Sequence, residues 1–527
     1  VPQLICRSHQ WRFDCLSGQR LDQQGTCLRS YPVTVVDGLI YISPEALDDP
    51  AGVVDRTGAR KFLSSATIPG PKPVPFLGNV LQIDRRAFHQ TLEKWAAEYG
   101  PLFCYRIGSR QMFATADAEL ANQALKARPE DFRRPEQLQK ISIRGMNALG
   151  VFAAEGEHWR RQRPVVMQSL DNKHLRQFFP TLLTVTERLG RRWQRAADSA
   201  AGVDVQSDLM RYTVDVTTTL AFAQDTNTLE TEGDVIQKHL DQIFPTMQRR
   251  LLSPFPYWRY VRLPADRQVE ESVEYVYAAV KEFIRRGREQ LVADPGKREH
   301  PENLLQSLLV AADEGEEGFS EADVADNVLT MLLAGEDTTA NTLAWALYYL
   351  AQYPEVQQKM RDEVAGVTGG GDLESYEQTR QMRFIEAVVH ETMRLKPVAP
   401  INGLQALRDV QLGEWTIRKG DSLTILARVM AMNNTDFPDA EAFKPERWIT
   451  ELGEQRRVNP RSFMPFGSGP RLCPGRSLAL LEIKSVLAMV VSKFQVTAAA
   501  DLNSVTEQMQ FTMSPVGLRI RFKPLGL

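Results

Sequence analysis

The amino-acid sequence predicts a mainly helical body with small β-sheets, preceded by a short all-β segment. Three patterns carry that expectation. Between about residue 87 and residue 395 apolar side chains recur at helical spacing with few glycines. After Pro397 the chain breaks into short extended pieces, VQLGEWTIRKG and SLTILARV, divided by turns. Before residue 44 it carries aromatic and β-branched clusters punctuated by turn signals instead.

Bulk properties narrow the function. A chain of 527 residues can bury large cores and has room for two or three domains. A formal charge of -3 excludes a strongly basic nucleic-acid binder. The five cysteines, at 6, 15, 27, 104 and 473, are too few and scattered for a disulfide framework. They imply a reducing, cytoplasmic compartment. The longest apolar stretch, VLTMLLAGEDTTANTLAWALYYL, has Glu336 and Asp337 at its centre, so no membrane span is visible. The chain starts at Val1 rather than Met, which leaves an upstream anchor or signal peptide open.

In chain order, YPVTVV and LIYI flank Asp37-Gly38 and read as a hairpin closing a segment over 1–43. Residues 44–67, mixed and polar, read as a linker. The stretch IPGPKPVPFLG (68–78) favours extended backbone and opens the main body, 68–527. Ser320 followed by Asp323 forms a capping-box pattern, opening a helix that runs to about Tyr353, with Pro354 next. The run RSLALLEIKSVLAMVVSKF predicts another helix directly after Cys473.

The sharpest signal is FMPFGSGPRLCPGRSLALLE. Gly467 and Gly469 permit turns with unusual dihedrals, and amides at the helix start favour a thiolate at Cys473. Metal coordination would complete that ionisation; a buried structural cysteine beside a glycine turn is the plain alternative. Phe466, Gly469, Arg471, Cys473 and Gly475 resemble F-x-x-G-x-R-x-C-x-G, the haem-ligand loop of the cytochrome P-450 family. The resemblance implies that fold, with haem b as cofactor, Cys473 as its iron ligand and Phe466 and Arg471 beside it.

Other stretches resemble the same family in the same order. Glu391 and Arg394 in HETMRLKP match E-x-x-R, and KPERW places Arg447 at the family's second arginine. The three are implied to form a buried structural cluster behind the haem, although an i, i+3 pair also serves as surface decoration. AGEDTT (334–339) resembles the oxygen-binding signature. It implies that Thr338 hydrogen-bonds dioxygen and Asp337 relays protons. Mid-helix Thr commonly bonds back to a carbonyl four residues earlier instead, while local weakening of the helix at Gly335 would open a polar pocket. Trp159 and Arg163 in GEHWRRQRP resemble W-x-x-x-R, a haem-propionate contact. A solvated basic helix explains that pattern equally well.

At the N-terminus, LICRSHQWRFDCLSGQRL followed by YPVTVVDGLIYI resembles the second half of a Rieske domain. Cys6 and His9 are implied as half of a [2Fe–2S] ligand set, which needs two cysteines and two histidines. Gln10 stands where that pattern has glycine. The second ligand pair belongs to an upstream C-x-H, so a cluster is expected only in a longer parent chain.

Together these resemblances imply a haem-thiolate monooxygenase that hydroxylates a small apolar substrate with O2. Electrons would come from a ferredoxin, a reductase or a fused Rieske-type domain, with Arg456, Arg457, Arg461 and Arg476 offering a docking face. Segments near 138–152 and 240–262, the AGEDTT helix and VAPINGL are the implied pocket walls. They are apolar and aromatic, which suits a lipid-like, terpenoid or aromatic molecule. The rivals are peroxide-driven oxidation, oxidative coupling, or a non-catalytic haem redox or sensor protein. Asp337 and Thr338 argue against peroxide use, which needs no proton relay.

Overall fold

The computed structural model describes four short strands within residues 3–42. It then describes residues 61–526, apart from 65–66, 141–149, 199–201, 232–235, 241, 315–318 and 451–457. The chain divides into two compact units, Val1–Lys61 and Phe62–Leu527. In the first, Gln3–Ile5 pairs antiparallel with Arg12–Asp14. Val33–Val36 pairs with Leu39–Ile42, Val36 opposite Leu39, so the expected hairpin has its two strands. Cys6 and His9 lie outside the described residues, as do Arg456 and Arg457.

The second unit is built around the helix Glu321–Leu350, most of which is buried. Its start follows from Ser320: the hydroxyl accepts the Asp323 N–H at 3.3 Å, and the Asp323 carboxylate accepts the Ser320 N–H at 2.8 Å. This satisfies two amides that the first helical turn leaves unpaired. Pro354 begins the next helix, Pro354–Thr368, at a position where its missing N–H costs nothing.

The central helix is unbroken at Gly335, contrary to the expected weakening there. Gly335 serves close packing instead. A Cβ at this position would stand 2.4 Å from Oγ1 of Thr217, on the neighbouring helix Val205–Phe222. Nearby, the Thr213 hydroxyl donates to the Glu336 carbonyl at 2.8 Å, locking the same crossing. The helices Arg383–Leu395 and Arg476–Lys493 complete the core around this pair.

One sheet arises where the sequence pattern pointed to helix. Leu102–Ile107 and Arg110–Thr115 form an antiparallel hairpin, with Leu102 opposite Thr115. The turn residue Gly108 takes φ +60°, and Phe103 and Tyr105 pack against Trp95 of the preceding helix. Ser422–Leu426 joins parallel to Arg110–Thr115 and antiparallel to Ile401–Ala406, making five strands with Phe132–Arg133 at the edge. Near the C-terminus, Thr506–Gln510 and Thr512–Val516 form a hairpin whose tip, Phe511, takes φ +84°. Its second strand lies against the central helix, where the Trp345 indole N–H donates to the Met513 carbonyl at 3.3 Å. No helix among the described residues is long and apolar enough to cross a membrane.

Candidate active site

Cys473 sits in a loop whose shape follows from its glycines. Gly467 and Gly469 take φ +77° and +71°, a region that β-carbons disfavour. A Cβ on Gly469 would also come within 2.7 Å of the Leu125 carbonyl oxygen. The Cys473 N–H donates to the Phe466 carbonyl at 3.0 Å, closing the loop, and the helix Arg476–Lys493 starts three residues on. Cys473 is exposed to solvent, although much protein surrounds it. Burial pushes the thiol above its ordinary value. The amides of Gly475 and Arg476 and the charges of Arg163 and Arg134 pull the other way without prevailing. The helix start thus favours the thiolate as expected but does not ionise it alone; a bond to a metal ion would complete that ionisation.

Positive charge accumulates beside the loop. Arg163 donates to the Leu472 carbonyl, tying the helix Gly156–Ser169 to the cysteine segment. Arg471 stacks over the Trp159 ring at 4.3 Å and donates to the Ala154 carbonyl and the Glu155 carboxylate. Arg128 approaches the same carboxylate at 3.8 Å, and the Arg134 guanidinium lies 3.6 Å above the Phe152 ring. Burial, with repulsion from Arg128 and Arg471, holds Arg134 down to about 9. Burial likewise lowers Arg471 to about 10, against the pull of Glu155. Glu155 is the one carboxylate these contacts name among the four guanidiniums.

Nε of Arg128, Nε of Arg471 and the Trp159 indole N–H are all buried without an acceptor. Buried donors left unpaired are costly, and this set matches the needs of a dianionic ligand edge. A haem, with two carboxylates and an iron that binds thiolate, fits both halves of the arrangement. Arg128, Arg134 and Glu155 were not foreseen, because no spacing within the sequence ties them to Cys473.

Behind the loop, Glu391 and Arg394 are fully buried. Arg394 clamps the Glu391 carboxylate through Nε at 2.9 Å and Nη2 at 2.8 Å, and its remaining protons go to the carbonyls of Ala431, Ala440 and Ala442. Arg447 Nε donates to Glu391 at 3.0 Å. Two further donors escaped the sequence reading, the Trp448 indole and the Lys444 backbone N–H, each at 2.9 Å. Trp448 in turn packs on Phe463 at 4.5 Å between ring centroids, at the mouth of the cysteine loop.

On the central helix, Thr338 donates to the Ala334 carbonyl at 3.0 Å, the back-bonding alternative. Ala334 is exposed and Gly335 and Thr338 are half-exposed in an otherwise buried stretch. Positions i, i+1 and i+4 share one side of a helix, so an open face interrupts the core here. Asp337 points elsewhere: its carboxylate accepts from Asn341 Nδ2 at 2.7 Å and from the Thr512 hydroxyl. Burial outweighs these two donors and raises it to about 6. Segment 150–155 links this helix to the cysteine loop, since the Val151 N–H donates to Asn327 at 2.9 Å and its carbonyl accepts from Arg471.

The expected pocket walls are partly outside the described residues, at 141–149. Of the described walls, Phe152 and Phe244 meet at one aromatic group. Phe244 stacks on Phe511 at 4.9 Å, and Phe152 meets Phe511 edge-on at 6.0 Å. Phe511, at the tip of the terminal hairpin, was not anticipated.

A family model described as cytochrome P-450 matches residues 68–522, and the chain belongs to that family. It is 29% identical over 462 residues to the self-sufficient cytochrome P-450 monooxygenase CYP505E4 of Penicillium expansum, covering 86% of this chain and 43% of that protein. It is 27% identical over 473 residues to CYP505E5 of Aspergillus niger, similarly named, with the same coverage. To cytochrome P-450 3A31 of Mesocricetus auratus it is 26% identical, covering 83% of this chain and 87% of that protein. The chain thus spans less than half the length of the self-sufficient relatives.

Removing one partner from the Glu391 network strands a buried charge. Arg394→Met is expected to destabilise the fold by about 3–5 kcal/mol, read from denaturant unfolding; an unchanged midpoint would contradict the network's role. For Asp337 the sign follows from its raised value. Between about pH 4 and about pH 6 the folded chain keeps a proton that the unfolded chain has released, so this group's contribution falls as pH rises through that window. Asp337→Asn should therefore gain on the parent by up to about 3 kcal/mol from about pH 4 to about pH 7. A stability difference independent of pH is the opposing result.

Proposed function

We propose that this chain is a haem-thiolate monooxygenase domain that hydroxylates a small apolar molecule. The observation that carries it is the pairing of a solvent-exposed Cys473 with unpartnered donors on Arg128, Arg471 and Trp159. Haem b, when bound, supplies dioxygen activation and C–H oxidation. Cys473 is the iron ligand, and Phe466, half-buried against the main core, flanks it. Arg128, Arg471 and Trp159 donate to the propionates, while Arg163 holds the ligand loop through Leu472. The network of Glu391, Arg394 and Arg447 fixes the backbone behind that loop. Thr338 presents its hydroxyl at the open face of the central helix, and Asp337 supplies a carboxyl that exchanges protons near neutral pH.

The aromatic group of Phe152, Phe244 and Phe511 forms the apolar wall, favouring a lipid-like, terpenoid or aromatic substrate and excluding water from it. The relatives named self-sufficient are longer than this chain, which favours electron supply from beyond the main body: a ferredoxin, a reductase or a fused domain. We assign 1–43 to a partial Rieske-like domain, 44–67 to a linker and 68–527 to the haem domain. Cys6 and His9 are half of the cluster site.

The reduced, haem-loaded chain under carbon monoxide should show the strongly red-shifted Soret band of a thiolate ligand, and Cys473→Ser should abolish it. A band typical of histidine ligation in the parent would overturn the reading. The N-terminal assignment has its own check: a longer parent protein, mildly reduced, should give a Rieske-type electron paramagnetic resonance signal. A silent spectrum defeats it.

A further inference from the structure

The terminal hairpin meets the aromatic wall at its tip and is held by charge at its base. Across its two strands the sequence has one ionisable side chain, Glu507, and one aromatic, Phe511. The Glu507 side chain is 8% exposed, and four side chains from three places in the chain converge on its carboxylate. His89 Nε2 and Gln90 Nε2, both on the helix Phe88–Tyr99, donate at 2.8 Å. Lys396, directly after the helix Arg383–Leu395, donates to the same carboxylate. Arg428 donates at 2.7 Å and also clamps Glu93 of the helix Phe88–Tyr99, at 2.8 and 2.6 Å. Burial would raise the Glu507 carboxyl, but His89, Arg428 and Lys396 hold it well below the ordinary carboxylate range. Two carboxylates thus meet two cations, so this cluster is complete and calls for no ligand.

Phe511 depends on that anchorage. Its φ of +84° is a conformation that phenylalanine keeps only where the surroundings over-determine it. Backbone bonds tie the Met509 N–H to the Arg86 carbonyl at 2.6 Å and the Met513 N–H to the Val398 carbonyl at 2.8 Å. Glu507 adds a second fixed point further from the tip, and two points define an angle. Four residues of strand reach about 13 Å, so a tilt of about 5° at the base displaces the tip by about 1 Å.

We propose that Glu507 is a specificity-positioning residue. Through the hairpin it sets where Phe511 stands against Phe244 and Phe152, and so which apolar ligands the wall accepts. The inference rests on the haem-thiolate reading above. The partners of Glu507 belong to the base, so its effect on a ligand passes along the strand to Phe511.

The intact, haem-loaded chain is titrated with imidazole and with 4-phenylimidazole, each followed by the Soret shift as nitrogen coordinates the iron. The ratio of the two dissociation constants reads the aromatic wall, because the ligands differ only by a phenyl ring. Phe511→Ala should lower that preference by about two- to tenfold, the range of an aromatic pair. Glu507→Gln should lower it by a similar factor, yet add nothing in the Phe511→Ala background. Glu507→Asp keeps the charge but draws the strand in by about 1.5 Å. It should act in the same direction, and it decides the matter where Glu507→Gln does not fold. An equal loss with and without the Phe511 ring makes Glu507 an ordinary stabilising residue, and an unchanged ratio in both Glu507 variants denies it any influence on the wall. Either result overturns the proposal, while a thiolate-type carbon monoxide spectrum leaves the haem-thiolate reading standing. If the parent lacks that spectrum, both fall.

Discussion

The backing of the cysteine loop depends on one group, the Glu391 carboxylate. A fully buried negative charge is tolerated only when its oxygens are saturated by well-placed donors. Here Arg394, Arg447, Trp448 and the Lys444 amide converge on it. Meeting that demand draws residues 431–448 against the helix Arg383–Leu395, because Arg394 also satisfies three carbonyls of that stretch. Trp448 then carries the constraint forward to Phe463, and from there to the turn that presents Cys473. The cysteine loop is thus braced from behind by a saturated ion network.

In front of the loop the logic is inverted. Several guanidiniums gather around one carboxylate, and three of their neighbourhood's donors have no acceptor at all. Such a region is unfavourable as it stands, and becomes favourable once a dianion enters. The protein keeps the two kinds of polar cluster apart, the completed one within the core and the incomplete one beside Cys473. Rigidity and binding are thereby divided between different residues.

What could be read in the sequence was whatever depends on residues close together along the chain. The capping box at Ser320, the Glu391–Arg394 pair and the positive-φ glycines before Cys473 are local patterns with local causes. What escaped depends on distant partners. Asp337 meets Thr512 across 175 positions, and Phe244 meets Phe511 only because the terminal hairpin folds back over the helices. The hairpin Leu102–Ile107 and Arg110–Thr115 was missed for another reason. It is a short extended insert between helical stretches, and its turn signal, Gly108, was outweighed by the periodicity on either side.

The missing β-carbon at Gly335 has a geometric result beyond packing. With Thr217 pressed into that gap, the central helix cannot turn about its own axis without collision. Its azimuth is pinned, so the directions in which Thr338 and Asp337 point are decided by a contact with a different helix. Residues 217 and 335 consequently form a coupled pair in any redesign: enlarging the second requires shrinking the first, or both side chains beyond them swing off target.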